Sequence, residues 1–97
     1  MLDHTTLSLV AEQMMGGREV VVNGQTSRVS RTGALRLRTV RFVMGGREYQ
    51  AIEQNPEKPS RWGKLAREGQ RVVQVRDLAT QGYVAAVVDG NVTEYSR

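Results

Sequence analysis

Three tight-turn dipeptides place the strongest constraint on how this chain can fold. They are Asn23-Gly24, Gly45-Gly46 and Asp89-Gly90, pairs that accept the two consecutive positive φ angles of a two-residue hairpin loop. A loop of two residues joins only antiparallel neighbours, so each pair predicts a β-hairpin. Valine outnumbers isoleucine fourteen to one and leucine two to one, a β-branched preference that is typical of strands. The chain is therefore expected to be mostly β.

Seven short strands are predicted between these dipeptides and the other turn signals. They span residues 19–22, 25–30, 35–44, 47–53, 71–77, 83–88 and 91–95. In the fifth of them, Val73 and Val75 alternate with Gln74 and Arg76, so the valines are expected to face inward and the polar pair outward. Residues 83–88 are apolar on both faces, which is typical of a central strand that is covered on two sides.

Two helices accompany the strands. Apolar residues at positions 7, 10, 11 and 14 form one helical stripe, with Asp3 or Thr5 as its N-cap and Gly16 as the left-handed residue that ends it. A second, shorter helix is predicted over residues 61–68, between the fourth and fifth strands. Gly63 within it costs about 1 kcal/mol relative to alanine, so a 3₁₀ turn is an alternative there.

The 97 residues are expected to form one domain. Its segments are an N-terminal helix (1–16), a first β-meander (19–53), a loop with the short helix (54–70) and a second β-meander (71–96). A domain this small must protect its sheet edges. We therefore predict an α+β domain built on a bent antiparallel sheet or an SH3-like, partly closed barrel, with the helices over its open ends. A flat sheet with both helices on one face is the alternative.

The composition leaves little material for catalysis. The chain has no cysteine and a single histidine, His4, so it lacks a thiolate nucleophile, a catalytic triad and a zinc site with nitrogen and sulfur ligands. We expect no enzymatic activity, no cofactor and no bound metal. The longest apolar run is six residues, whereas a membrane span needs about 20. A cytoplasmic protein with no membrane partner is therefore expected.

The positive charge is concentrated in the first half of the chain. Residues 1–47 contain seven bases and three acids, whereas residues 48–97 contain seven of each. No acid lies between Glu19 and Glu48, and that interval contains six arginines. Arginine suits an anionic partner because its planar fork matches phosphate and carboxylate groups.

The predicted strand over residues 35–44 carries three of these arginines. Leu35 and Leu37 have one parity, whereas Val40 and Phe42 have the other. A β-bulge near Thr39 and Val40 would return all four apolar side chains to one face. The opposite face would then carry three arginines together, namely Arg36, Arg38 and Arg41.

These patterns predict a small non-catalytic binding module that presents an arginine-rich strand face to a protein or another anionic partner. The candidate partner-binding residues are Arg28, Arg31, Arg36, Arg38, Arg41, Tyr49 and Trp62. Trp62 is interpreted as a plug that closes one barrel end with Leu65, or else as an anchor for a protein partner.

Three alternatives remain open at this stage. The same arginines, together with Tyr49, suit a domain that binds nucleic acid without strong sequence preference. The chain could also be a subunit whose site forms only at an oligomer interface, its oligomeric state being open. Finally, the arginines could form a solvated face, neutralised across strands by Glu19, Glu48 or Glu94.

Overall fold

The computed structural model describes residues 2–95, which form eight strands and two helices. In chain order the elements are α1 (His4–Gly16), β1 (Glu19–Val22), β2 (Gln25–Arg28), β3 (Ser30–Thr32), β4 (Leu37–Met44), β5 (Arg47–Glu53), α2 (Arg61–Arg67), β6 (Val72–Asp77), β7 (Tyr83–Val88) and β8 (Asn91–Glu94). The mostly-β class is confirmed.

The strands form two antiparallel sheets. β1 and β2 make a two-stranded ribbon, and β3 to β8 make a six-stranded meander in which each strand pairs with the next along the chain. The six-stranded sheet has two different edge strands, β3 and β8, so the predicted barrel does not close. The three dipeptide hairpins are confirmed, since both residues of each turn have positive φ, as in Asn23 (49°) and Gly24 (78°).

The main core lies on one face of the six-stranded sheet. Helix α1 and the β1–β2 ribbon cover that face, and the helix contributes Leu7 and Met14, both 0% exposed. Valines of the ribbon and alternate residues of β4 to β7 complete the core. They include Val20, Val22, Val40, Phe42, Met44, Ala51, Val73, Val75, Ala85 and Val87.

Helix α2 packs against the opposite face of the sheet. Gln74 and Tyr95 have the parity opposite to the core residues of their strands, and Trp62 of α2 meets Tyr95 with 6.2 Å between the ring centroids. Val72 and Ala86 are buried on this second face. The two helices therefore lie on opposite faces, and neither of the predicted arrangements is correct.

The helix ends match the sequence signals only in part. Asp3 caps α1, because its carboxylate accepts a hydrogen bond from the Thr6 amide at 3.2 Å. Ser60 caps α2 in the same way, through the Gly63 amide at 3.2 Å. Gly16 is the last helical residue and is not left-handed; the chain leaves α1 through an extended Gly17 with φ −157°.

The segment around β3 differs most from the prediction. The predicted strand 25–30 divides at Val29, so that β2 belongs to the ribbon and Ser30–Thr32 begins the larger sheet. This additional strand places α2 after the fifth strand rather than the fourth. β4 begins at Leu37, not residue 35, because residues 33–36 form a turn in which Arg36 has φ 56°.

The predicted β-bulge at Thr39 and Val40 is therefore wrong. β4 pairs with β5 without interruption from Thr39 to Met44. The change of parity that suggested a bulge arises because Leu35 belongs to the turn and is 43% exposed. The register does shift elsewhere, between Val75 and Arg76 of β6, where β7 carries the extra residue.

No helix within residues 2–95 combines the length and the hydrophobicity of a membrane-spanning segment.

Candidate functional site: the arginine row on the second face of the sheet

Four side chains lie in direct register across the second face of the sheet. Arg41 of β4 pairs with Gln50 of β5, Gln50 with Arg76 of β6, and Arg76 with Tyr83 of β7. We call these four residues the arginine row. Adjacent strands are about 4.8 Å apart, so the two arginines are separated by roughly 10 Å and the row extends over roughly 14 Å.

Hydrogen bonds hold the middle of the arginine row. Arg76 Nη2 donates to Gln50 Oε1 at 2.6 Å, and Gln50 Nε2 donates to Thr39 Oγ1 at 3.0 Å. The Thr39 hydroxyl in turn donates to the Ala51 carbonyl at 3.1 Å. The amide of Gln50 is thereby oriented with its oxygen towards Arg76. A neutral oxygen, not a carboxylate, is the group that meets this guanidinium.

Neither arginine of the row forms an ion pair within residues 2–95, and Glu48, two residues from Gln50 on the same face, makes none with either of them. The ion pairs there are His4–Glu94, Arg38–Glu53 and Arg47–Asp77. Arg76 is partly buried, and its Nε atom is shielded from solvent without a hydrogen-bond acceptor. Because a buried charge is normally paired, Arg76 would gain from an anion that approaches its remaining donors.

A shallow depression of about 390 Å³ adjoins the Arg41 end of the row. Its lining residues are Ser27, Arg28, Ser30, Thr39, Val40, Arg41 and Gln50. The lining contains two guanidinium groups and no carboxylate, and the hydroxyls of Ser27 and Ser30 add further donors for an anion. Glu19 stands opposite Arg28 across the ribbon but makes no ion pair with it among the described residues.

Aromatic side chains lie at the other end of the row. Tyr83 is 50% exposed. Tyr95 on the same face donates its hydroxyl hydrogen bond to Gln74 Oε1, and its burial raises the pKa of that hydroxyl. The Arg61 guanidinium carbon lies 4.4 Å from the centre of the Trp62 ring, in a cation–π contact. Cationic and aromatic groups thus share this face of the sheet.

Among the predicted site residues, the structure brings together Arg28 and Arg41. Arg38 points to the core face and pairs with Glu53, with its Nη1 3.2 Å from Oε2. Arg31 stands opposite Arg38 and donates to the Arg36 carbonyl at 3.0 Å. The expected shared face of Arg36, Arg38 and Arg41 does not exist, because alternation along a regular strand separates Arg38 from Arg41.

The two predicted aromatic contact residues lie in different settings. Tyr49 is 5% exposed and stacks on Phe42 in the core, with ring centroids 5.8 Å apart, so it is unavailable to a partner. Phe42 is the residue directly opposite Tyr49 on the neighbouring strand, and both rings point inward. Trp62 is partly buried against Tyr95, outside the main core, so it does not plug a barrel.

Sequence reasoning missed Gln50, Arg76 and Tyr83 as members of the site. Arg76 was expected to point outward from its strand, and it does so. The sequence pattern does not give the register between strands, and that register is what brings these residues together. Arg41 and Arg76 are 35 positions apart, and only the pairing of β4 with β5 and of β5 with β6 aligns them.

Within residues 2–95, no group of three histidine, aspartate or glutamate side chains is arranged to hold a metal ion. Comparison of the chain with known protein families, with curated proteins and with solved structures finds no match.

Proposed function

We propose that this chain is a small non-catalytic binding module that holds an anionic partner on the second face of its sheet, centred on Arg41 and Arg76. One observation carries the proposal. Arg76 is a partly buried guanidinium whose only described hydrogen bond goes to the neutral Gln50 oxygen, and it lies in register with the exposed Arg41.

A bound anion would compensate the charge of Arg76. A partly buried cation without a carboxylate leaves a positive potential at the surface above it, and such a potential attracts anions. Two arginines whose backbones are roughly 10 Å apart can contact two anionic groups of one partner. Arg28, beside the depression at the Arg41 end, supplies a third contact point.

Retention on a heparin column tests the proposal with a polyanion of high charge density. The test variant is R41Q/R76Q, and the matched control is R18Q/R36Q, which removes the same charge from two exposed arginines outside the row. We expect R41Q/R76Q to elute at a clearly lower salt concentration than the control, because only this variant removes the aligned pair. Circular dichroism of both variants is the control for correct folding.

Equal losses of retention in the two double variants would contradict the proposal, since binding would then depend on net charge alone. Absence of retention of the wild-type chain at low salt would also contradict it.

A further inference from the structure

The composition of the arginine row points to a narrower class of partner. Reading along the row, a cation, an amide, a second cation and an exposed aromatic ring occupy four neighbouring strands. An acidic protein would use the two cations, and Tyr83 would give it ordinary contact area. A single-stranded nucleic acid would use both kinds of group, because phosphates bind guanidinium groups and unstacked bases stack on aromatic rings.

We propose that the anionic partner is a single-stranded nucleic acid that crosses the sheet along the arginine row. Its phosphates contact Arg41 and Arg76, and a base stacks on Tyr83. The inference rests on the proposed function, which it deepens by naming the chemical class of the partner.

The position of Tyr83 supports this path. The β-bulge opposite Val75 and Arg76 changes the alternation of β7, so that Tyr83 shares the face of Arg76 while Val84 packs against the core. Tyr83 is among the few large apolar side chains left exposed, at 50%. It lies one strand from Arg76 and lines a depression together with Arg47, Asp77 and Tyr95, so a base attached to a phosphate bound at Arg76 can reach the ring.

The neighbouring aromatic pair extends the same surface. Trp62 and Tyr95 stand edge to face, and Arg61 lies over the Trp62 ring. A guanidinium stacked on an indole offers its own planar face to a further base. Helix α2 thus adds a second stacking position beside the row.

Duplex nucleic acid fits this surface less well. In a duplex the flat faces of the bases are covered by their neighbours, so Tyr83 has nothing to stack on. Preference for a single strand over a duplex of the same length is therefore part of the proposal.

Fluorescence anisotropy with a fluorescein-labelled twelve-nucleotide oligothymidylate tests the inference on the full chain. With contacts from Arg28, Arg41 and Arg76, we expect the logarithm of the affinity to fall with the logarithm of salt concentration with a slope of about −2. In R41Q/R76Q one contact remains, and the slope should decrease in magnitude to about −0.7. The intrinsic fluorescence of Trp62, the single tryptophan, gives a label-free signal of base stacking on α2.

Tyr83→Ala is the variant that separates stacking from charge. We expect it to weaken oligonucleotide binding roughly tenfold, with substantial recovery in Tyr83→Phe, which keeps the ring. Heparin retention of Tyr83→Ala should be unchanged, because heparin has no bases. Leu9→Ala is the matched control, since it removes an exposed apolar side chain, 48% exposed, from α1 on the other side of the sheet.

The outcomes distinguish this inference from the proposed function. If heparin retention depends on Arg41 and Arg76 while Tyr83→Ala binds the oligonucleotide as tightly as wild type, the nucleic-acid inference is overturned and the anion-binding module stands. Stronger binding to polyglutamate than to the oligonucleotide would overturn the inference in favour of an acidic protein. Equal affinity for duplex and single strand would also overturn it. If no polyanion binds, both proposals fail together.

Discussion

Replacing Gly63 with alanine tests how helix α2 is held beside the arginine row. In an open helix this change is favourable by about 1 kcal/mol. Here an alanine Cβ would stand 2.1 Å from the carbonyl oxygen of Lys58 and 2.9 Å from its carbonyl carbon. Ordinary contact with a Cβ begins at 3.4 Å, so the two backbones must separate by about 1.3 Å.

The segment opposite Gly63 cannot easily yield by that amount. Pro56 and Pro59 restrict its backbone, and Arg67 Nη1 donates to the Pro56 carbonyl at 2.6 Å and to the Lys58 carbonyl at 3.0 Å. Forced separation costs about 1–3 kcal/mol, and a lost hydrogen bond adds about 1 kcal/mol. After subtracting the helix-propensity gain of about 1 kcal/mol, we expect a net destabilisation of about 1–3 kcal/mol.

Urea unfolding followed by Trp62 fluorescence and by circular dichroism measures this change. Trp62 lies in α2, next to the substituted position, so its emission reports directly on the docking of that helix. With a slope of about 1–3 kcal/mol per molar urea for a small domain, the midpoint should fall by about 1 M. Local undocking of α2 would appear as a fluorescence change that precedes the loss of the β signal.

Gly16→Ala is the matched control for this experiment. It makes the same chemical change in α1, where no heavy atom lies within 4 Å of the new Cβ and φ is not positive. We expect it to leave stability unchanged or raise it by up to about 1 kcal/mol. If Gly63→Ala stabilises the chain as Gly16→Ala does, the close approach of α2 to Lys58 is refuted.

Two further predictions concern the core face. The Asp77 carboxylate accepts hydrogen bonds from Arg47 Nε at 2.9 Å and Nη2 at 2.6 Å, and these bonds, the largest cause, hold its pKa below the ordinary value. A lowered pKa in the folded state stabilises the fold above the unfolded pKa of about 3.9, and this stabilisation is lost as the pH falls through the folded pKa. Asp77→Asn should therefore destabilise the chain at pH 7, and the difference in urea midpoint between this variant and the wild type should diminish below about pH 4. A midpoint difference that does not change with pH would contradict this prediction. Leu7→Ala should lower the free energy of unfolding by about 2–5 kcal/mol, because Leu7 is 0% exposed. Leu9→Ala, the control, should change it by less than about 0.5 kcal/mol. Similar urea midpoints for the two variants would contradict the packing of α1.

Local features of the fold could be predicted because their causes are local. Each hairpin depends on two adjacent residues that tolerate positive φ, as Asp89 and Gly90 do at 47° and 86°. The α1 stripe was also correct, since Leu7, Val10 and Met14 are buried. The predicted bulge failed for an equally local reason, because the turn before β4 extends two residues further than the apolar pattern suggested.

The site could be predicted only in part because it depends on the pairing of distant segments. The excess of arginine in the first half of the chain led to the selection of Arg28 and Arg41, which line one depression. Arg76 comes from the half whose net charge is zero, so a count of charges along the chain gave no reason to select it. The acids that pair with arginines also differ from those suggested by the sequence. Glu53 and Asp77 pair with arginines, whereas Glu94 pairs with His4.

The strictly sequential order of the large sheet has a consequence for how the chain assembles. Every pairing from β3 to β8 joins strands that are consecutive along the chain. Apart from the 18-residue connection through α2 between β5 and β6, each pairing forms by closing a loop of two to five residues, at low entropic cost. Contacts between α1 and the last hairpin are different: Ser8 donates to the Gly90 carbonyl at 2.8 Å across 82 positions of sequence. The sheet can thus form strand by strand before the helix closes this long loop, and a mutation in the buried stripe of α1 should act mainly by accelerating unfolding rather than by slowing refolding.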